Sequence, residues 1–235
     1  MKIAFTPDWF LGTDVLIEIF SFAVLLIFFI LCVRSYKLTK NKSTVYLGAG
    51  FLAIALAEIF TILTKLILFY DTTFTQEIGH MIITYHVVKS VDIFYYLGFF
   101  LHKIFTLLGF YIIYKIPSKK GTTEDYIIGA CFIIIAAAFS QVFYYVFHIT
   151  ILVLLGLIIY NYSKIYKKNK LETTKILLVA FWILAVSHLL LCLSTLQIVY
   201  VFGQVLQLVS YLTLLILIIG IRKYGKEKSK KRHNL

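Results

Sequence analysis

Five stretches of this chain are apolar over lengths that a soluble fold has no use for: Val15 to Val33, Val45 to Tyr70, Val91 to Tyr114, Ile176 to Leu193 and Tyr200 to Ile221. The hydrocarbon core of a bilayer is about 30 Å thick and an α-helix rises about 1.5 Å per residue, so roughly 20 apolar residues make one crossing. Inside lipid every backbone polar group must be satisfied within the protein, and a helix does that alone. The sequence therefore reads as an all-α integral membrane protein. Of its 235 residues 61% are apolar and 14% charged, against about 45–50% and about 25% in a soluble domain. The reading is one membrane domain over 1–221 and a basic tail over 222–235. Little is left over for a fused kinase, nucleotide-binding or DNA-binding unit, so any cytoplasmic output is expected to pass through a separate protein.

A sixth apolar region, Tyr126 to Tyr160, is too long for one crossing and short for two. Charge decides between them. Lys115, Lys119 and Lys120 precede it, and Lys164, Lys167, Lys168, Lys170 and Lys175 follow it. Cytoplasmic loops collect lysine and arginine, and a single crossing would put these two clusters on opposite sides. The region is therefore expected to cross twice, over about 126–141 and 143–160, or to form a re-entrant hairpin, with a tight turn near Ser140, Gln141, Tyr144 and Tyr145.

Seven crossings, over about 15–33, 45–70, 91–114, 126–141, 143–160, 176–193 and 200–221, put the amino terminus outside and the carboxy terminus in the cytoplasm. That arrangement collects 19 of the 23 lysines and arginines on the cytoplasmic side. Lys2 and Lys89 lie outside, and Lys65 and Lys103 fall within spans. Tyr36, Tyr46, Tyr70, Tyr114, Tyr126, Tyr160, Tyr162, Tyr200 and Tyr224 sit at or near span ends, where an amphipathic ring prefers the headgroup level. A multi-pass protein of the cell membrane follows, and the net charge of +12 reads as a topology signal and a surface for anionic lipid, not for nucleic acid. The segment before Val15 lacks the pattern of a cleaved signal peptide. Cys32, Cys131 and Cys192 lie within spans and read as small apolar residues without disulfide or metal spacing. The stretch from Asp71 to Ser90 is expected to be an interfacial helix or an extension of the third span.

Ionisable groups in spans cost roughly 2.5 to 3.5 kcal/mol at a helix centre, and they mark interior faces. Glu18 lies in the first span. Glu58, Thr61 and Lys65 share one face of the second. In the third, Asp92, Tyr96 and Lys103 form one stripe, and Tyr95, His102, Thr106 and Gly109 the next. His148 lies in the fifth span, His188, Cys192 and Thr195 form a stripe on the sixth, and Tyr200, Gln204, Gln207 and Tyr211 do so on the seventh. Depth predicts an ion pair from Glu58 to Lys103 or His102, and another from Lys65 to Asp92 or Glu18. Most of these groups fall in the outer half of the bilayer, which predicts a polar cavity there. Helix-to-helix hydrogen bonding accounts equally well for the Glu58 and Lys103 network and better for the glutamines.

The outline resembles retinal proteins, but the seventh span has no lysine for a Schiff base. It is similar in length to small seven-helix sugar and amino-acid transporters, whose helices turn on prolines; Pro7 and Pro117 both lie outside spans here. It is also similar to the seven-helix sensor modules of prokaryotic signalling proteins, in topology only. No catalytic or metal-ligand motif is present, and the sequence names no cofactor. The expected function is a sensor or receptor-like module that takes a small or lipophilic ligand in an outward-facing polar cavity and signals to a cytoplasmic partner. A small-molecule or proton-coupled transporter is the second expectation, and a haem- or metal-dependent membrane redox protein or hydrolase the third.

Overall fold

A computed structural model of the chain describes residues 7–10, 12–78, 82–116, 123–194 and 196–233, with the side chains of 8, 39, 68–94 and 218–233 left aside. After a 3-10 turn at Asp8–Phe10 come seven helices: α1 Thr13–Thr39, α2 Lys42–Ile78, α3 Ile82–Lys115, α4 Thr123–Phe139, α5 Tyr144–Asn169, α6 Glu172–Cys192 and α7 Gln197–His233. Six are long and apolar enough to cross a membrane. The exception is α4, whose 17 residues reach about 25 Å at about 1.5 Å per residue.

The helices overrun the apolar windows at most ends, because a helix continues past the lipid for as long as its sequence bonds to itself. The stretch expected between the second and third spans is thus taken up by the end of α2 and the start of α3, with 79–81 outside the described residues. The break inside 126–160 falls where expected. Ser140 to Phe143 form the turn, with Phe143 N bonded back to the Phe139 carbonyl at 3.0 Å.

Packing follows a ring. The main contacts run α1 to α2, α2 to α3, α3 to α5, α5 to α6, α6 to α7 and α7 back to α1, while α4 lies outside against α3 and α5. Two contacts show how the ring is drawn tight. A Cβ on Gly50 would stand 2.9 Å from the Gly109 carbonyl oxygen, so α2 and α3 touch backbone to backbone there, as small residues permit in membranes. Between α6 and α7, Ser187 Oγ donates to the Gly203 carbonyl at 2.8 Å and Ser210 Oγ to the Ala180 carbonyl at 2.9 Å.

The helix α4 runs antiparallel to α3 along the apolar part of that helix. Near its start the Tyr111 hydroxyl donates to the Asp125 carbonyl at 2.8 Å, and Lys115 pairs with Asp125 at 3.6 Å. Past its end, Lys103 Nζ donates to the Ser140 carbonyl at 2.8 Å and Gln141 Nε2 to the Tyr96 carbonyl at 3.4 Å. Its outward face, with Ile128, Phe132, Ile135 and Phe139, is open. Leu16, Leu157, Trp182 and Phe202 continue that apolar surface around the bundle. So much exposed hydrocarbon belongs in lipid, and the chain is a multi-pass helical membrane protein.

The two ends of the bundle differ. The joints α1–α2 and α5–α6 stand at one end with Lys37, Lys40, Lys42, Lys168 and Lys170 around them. Lys40 and Lys170 are both left-handed caps, at φ 54° and 49°, each bonding its N–H to a tyrosine carbonyl four residues back. The half of the interior nearer this basic end is apolar: Phe28 lies 4.5 Å from Phe51, Phe51 stacks on Phe181 at 6.5 Å, and Tyr162 meets Phe181 at 5.6 Å, all between ring centroids.

A polar cavity at one end of the helical ring

Above that aromatic floor every helix of the ring turns polar at the same level, so the opposite end of the bundle holds a cavity of about 180 Å³. Its walls come from the start of α1, the second half of α2, α3 on the Tyr95 to Phe110 face, the 140–143 turn, the start of α5, the end of α6 and the start of α7. Alternation of the helices puts all of these at one end. A close-packed interior leaves few voids this large.

The first wall is an acidic cluster held by one lysine. Lys65 Nζ on α2 lies 2.6 Å from Asp14 Oδ2 and 2.5 Å from Glu18 Oε1, both on α1. Asp14 also uses Oδ1 to accept the backbone N–H groups of Gly12 and Val15, at 3.1 and 2.9 Å. A carboxylate there is favoured by the positive end of the helix dipole. The expected partner Glu18 is therefore found, and Asp92 has no described side chain. Asp14 was missed. Its one signal in the sequence is the four-residue step to Glu18, which places both carboxylates on one face.

The second wall joins α2 to α7. Glu58, 3% exposed, accepts from the Tyr211 hydroxyl at 3.3 Å, and Tyr211 in turn accepts from Gln207 Nε2 at 3.3 Å. The glutamine stripe thus reaches a buried carboxylate through a tyrosine. The ion pair expected from Glu58 to Lys103 or His102 does not form. Lys103 turns away to the carbonyl of Ser140, where α4 ends and the negative end of its dipole stands,. His102 on α3 bonds across to α2: its Nδ1 lies 2.7 Å from Thr61 Oγ1 and 3.1 Å from the Ala57 carbonyl. A carbonyl only accepts, so the ring proton sits on Nδ1.

The third wall is a pair of imidazoles. His148 Nδ1 on α5 and His188 Nδ1 on α6 stand 3.1 Å apart, one donating and the other accepting,. The ring of Phe147 separates His148 from His102, with centroids 5.2 and 5.7 Å away. His102, His148 and His188 all line the cavity, and among the described residues no three of His, Cys, Asp or Glu gather for a metal ion. Tyr95 and Gln204 line the cavity, Tyr95 packed edge-on to Phe99 at 4.7 Å.

Two buried atoms at this site have no hydrogen-bond partner, Glu18 Oε2 and Thr106 Oγ1. Their residues are 6% and 5% exposed, and both line the cavity. A buried acceptor left unmade costs roughly 1 to 3 kcal/mol, more when it is charged. No family model, curated protein or solved structure matches this chain.

Proposed function

We propose that the chain is a seven-span receptor-like module of the cell membrane, its amino terminus outside and its carboxy tail in the cytoplasm, that binds a small molecule in this cavity. The observation that carries the reading is a polar cavity at one end of the ring, stopped by a dry aromatic floor on unbroken helices. The positive-inside rule favours the basic end in the cytoplasm, which opens the cavity outward. The course of α4 along the apolar part of α3 favours a crossing by α4 as well.

A closed floor suits a sensor better than a carrier. Binding at the cavity shifts the ring, and the ring ends in the lysine-capped joints α1–α2 and α5–α6, where a separate cytoplasmic protein and anionic lipid would dock. A ligand of the volume implied, near that of an engineered cavity of roughly 150 Å³ that takes up benzene, would be enclosed by the polar walls.

Purified protein in vesicles with an entrapped pH-sensitive dye tests it. No proton flux above that of empty vesicles is expected across an imposed gradient. Flux above empty vesicles that disappears in Glu58→Gln would make the chain a proton-coupled carrier and end the receptor reading.

A further inference from the structure

The unmet groups of the cavity are unequal in sign, and this says what would fill it. Lys65 is engaged with Asp14 and Glu18. Lys103 is engaged with the end of α4. On the acidic side, Glu58 pairs with no cation within 4 Å among the described residues, and Glu18 keeps Oε2 without a partner. The two glutamates lie on adjoining helices, near enough to act on each other electrostatically. Lys65 and Lys103 line the same cavity, but Lys65 is spent on Asp14 and Glu18 Oε1 and Lys103 on a carbonyl, so Glu58 and Glu18 Oε2 are the groups that a further positive charge in this low-dielectric interior would meet. What surrounds that charge is aromatic: Tyr95, Phe99, Phe110 and Phe147 line the same space. Ring faces attract cations, more strongly where water is excluded.

We propose that the ligand is a small organic ammonium ion, its protonated amine held between Glu18 and Glu58 and its apolar body against the aromatic wall. The proposal rests on the reading of the cavity as a ligand site and names the ligand's class. A bare inorganic cation fits less well, since about 180 Å³ exceeds what one ion needs and Phe99, Phe110 and Phe147 offer it no oxygen ligand. Thr106, the other buried group without a partner, would accept from the ammonium or donate to a hydroxyl of the ligand.

Three probes that share a phenethyl body decide the class by titration calorimetry on the full chain in lipid nanodiscs: 2-phenylethylamine, 2-phenylethanol and 3-phenylpropionate. The amine is expected to bind roughly tenfold or more tightly than the alcohol, the size of one charge-assisted hydrogen bond. The carboxylate is expected not to bind. Glu58→Gln should weaken the amine by a similar factor and the alcohol by much less, so that the preference for the amine narrows. Thermal unfolding of the variant establishes that it folds, and Glu18→Gln serves where it does not. Equal binding of amine and alcohol, or binding of the carboxylate alone, overturns the ammonium class while leaving a ligand cavity in place. Binding of sodium that excludes the amine also overturns it. Absence of binding by all three probes overturns the proposal and counts against the cavity reading too.

Discussion

Lys65 holds the acidic wall together, and its position shows how a buried charge is tolerated in a membrane interior. One ammonium serves two carboxylates, meeting Asp14 and one oxygen of Glu18 where lipid would meet neither. Replacing it breaks both pairs and leaves two like charges side by side. Lys65→Met is expected to destabilise the bundle by about 3 to 5 kcal/mol, the cost of removing one member of a buried pair. Unfolding by SDS in mixed micelles measures it. The triple variant with Glu18→Gln and Asp14→Asn should recover much of the loss, since it removes the orphaned charges too; a loss that the triple variant does not reduce would show that the lysine acts through its packing alone. The stripe from Glu58 to Lys65 was legible in the sequence because helical spacing is rigid. Which partner each residue takes was not, because that depends on how far each helix is rotated about its axis. Asp14 escaped notice for a simpler reason: it lies one residue before the apolar window that defines the first span.

At the scale of the element, α4 is the helix that the sequence could outline and not place. The break at Ser140 was visible in an apolar stretch too long for one helix, between two lysine clusters. Its exclusion from the ring was not visible, since α4 is as apolar as its neighbours and exposes its residues to lipid instead of to helices. That placement explains Lys103. Leaving the ring brings the end of α4 back to the level of Lys103, and its last carbonyls then compete with Glu58 for the ammonium. With little packing to hold it, α4 depends on its end contacts, Tyr111 and Lys115 with Asp125 at one end and Lys103 with Ser140 at the other. Lys103→Met removes a hydrogen bond to a charged donor, worth about 1.5 to 3 kcal/mol. Amide exchange over 137–143 should rise roughly tenfold or more while α6 and α7 stay protected. Unchanged exchange in that turn would show that the lysine does not hold α4 down.

The whole molecule divides into two consecutive three-helix groups, α1–α3 and α5–α7, which run in the same sense because α4 adds one pass between them. Their polar groups differ across the cavity: carboxylates and Lys65 on α1 and α2, the imidazole pair on α5 and α6. Both groups turn at the basic end through a lysine in the left-handed region, four residues after a tyrosine, Tyr36 with Lys40 and Tyr166 with Lys170. The orientation in the membrane then rests on one comparison of sides. In a chain freed of Cys32, Cys131 and Cys192, a cysteine at Val142, which is 64% exposed in the α4–α5 turn, should react with a membrane-impermeant maleimide added to intact cells. A cysteine at Lys168, beyond the other end of the ring, should react only after the membrane is opened. Reaction of both from the same side would make the 126–160 region a re-entrant hairpin and reduce the crossings to five. Reaction of Lys168→Cys alone in intact cells would invert the bundle and open the cavity to the cytoplasm. The expected result joins two features, since the lysine-rich joints are held inside by the positive-inside bias while the Lys103 contact to Ser140 sets the α4–α5 turn at the cavity end of the bundle.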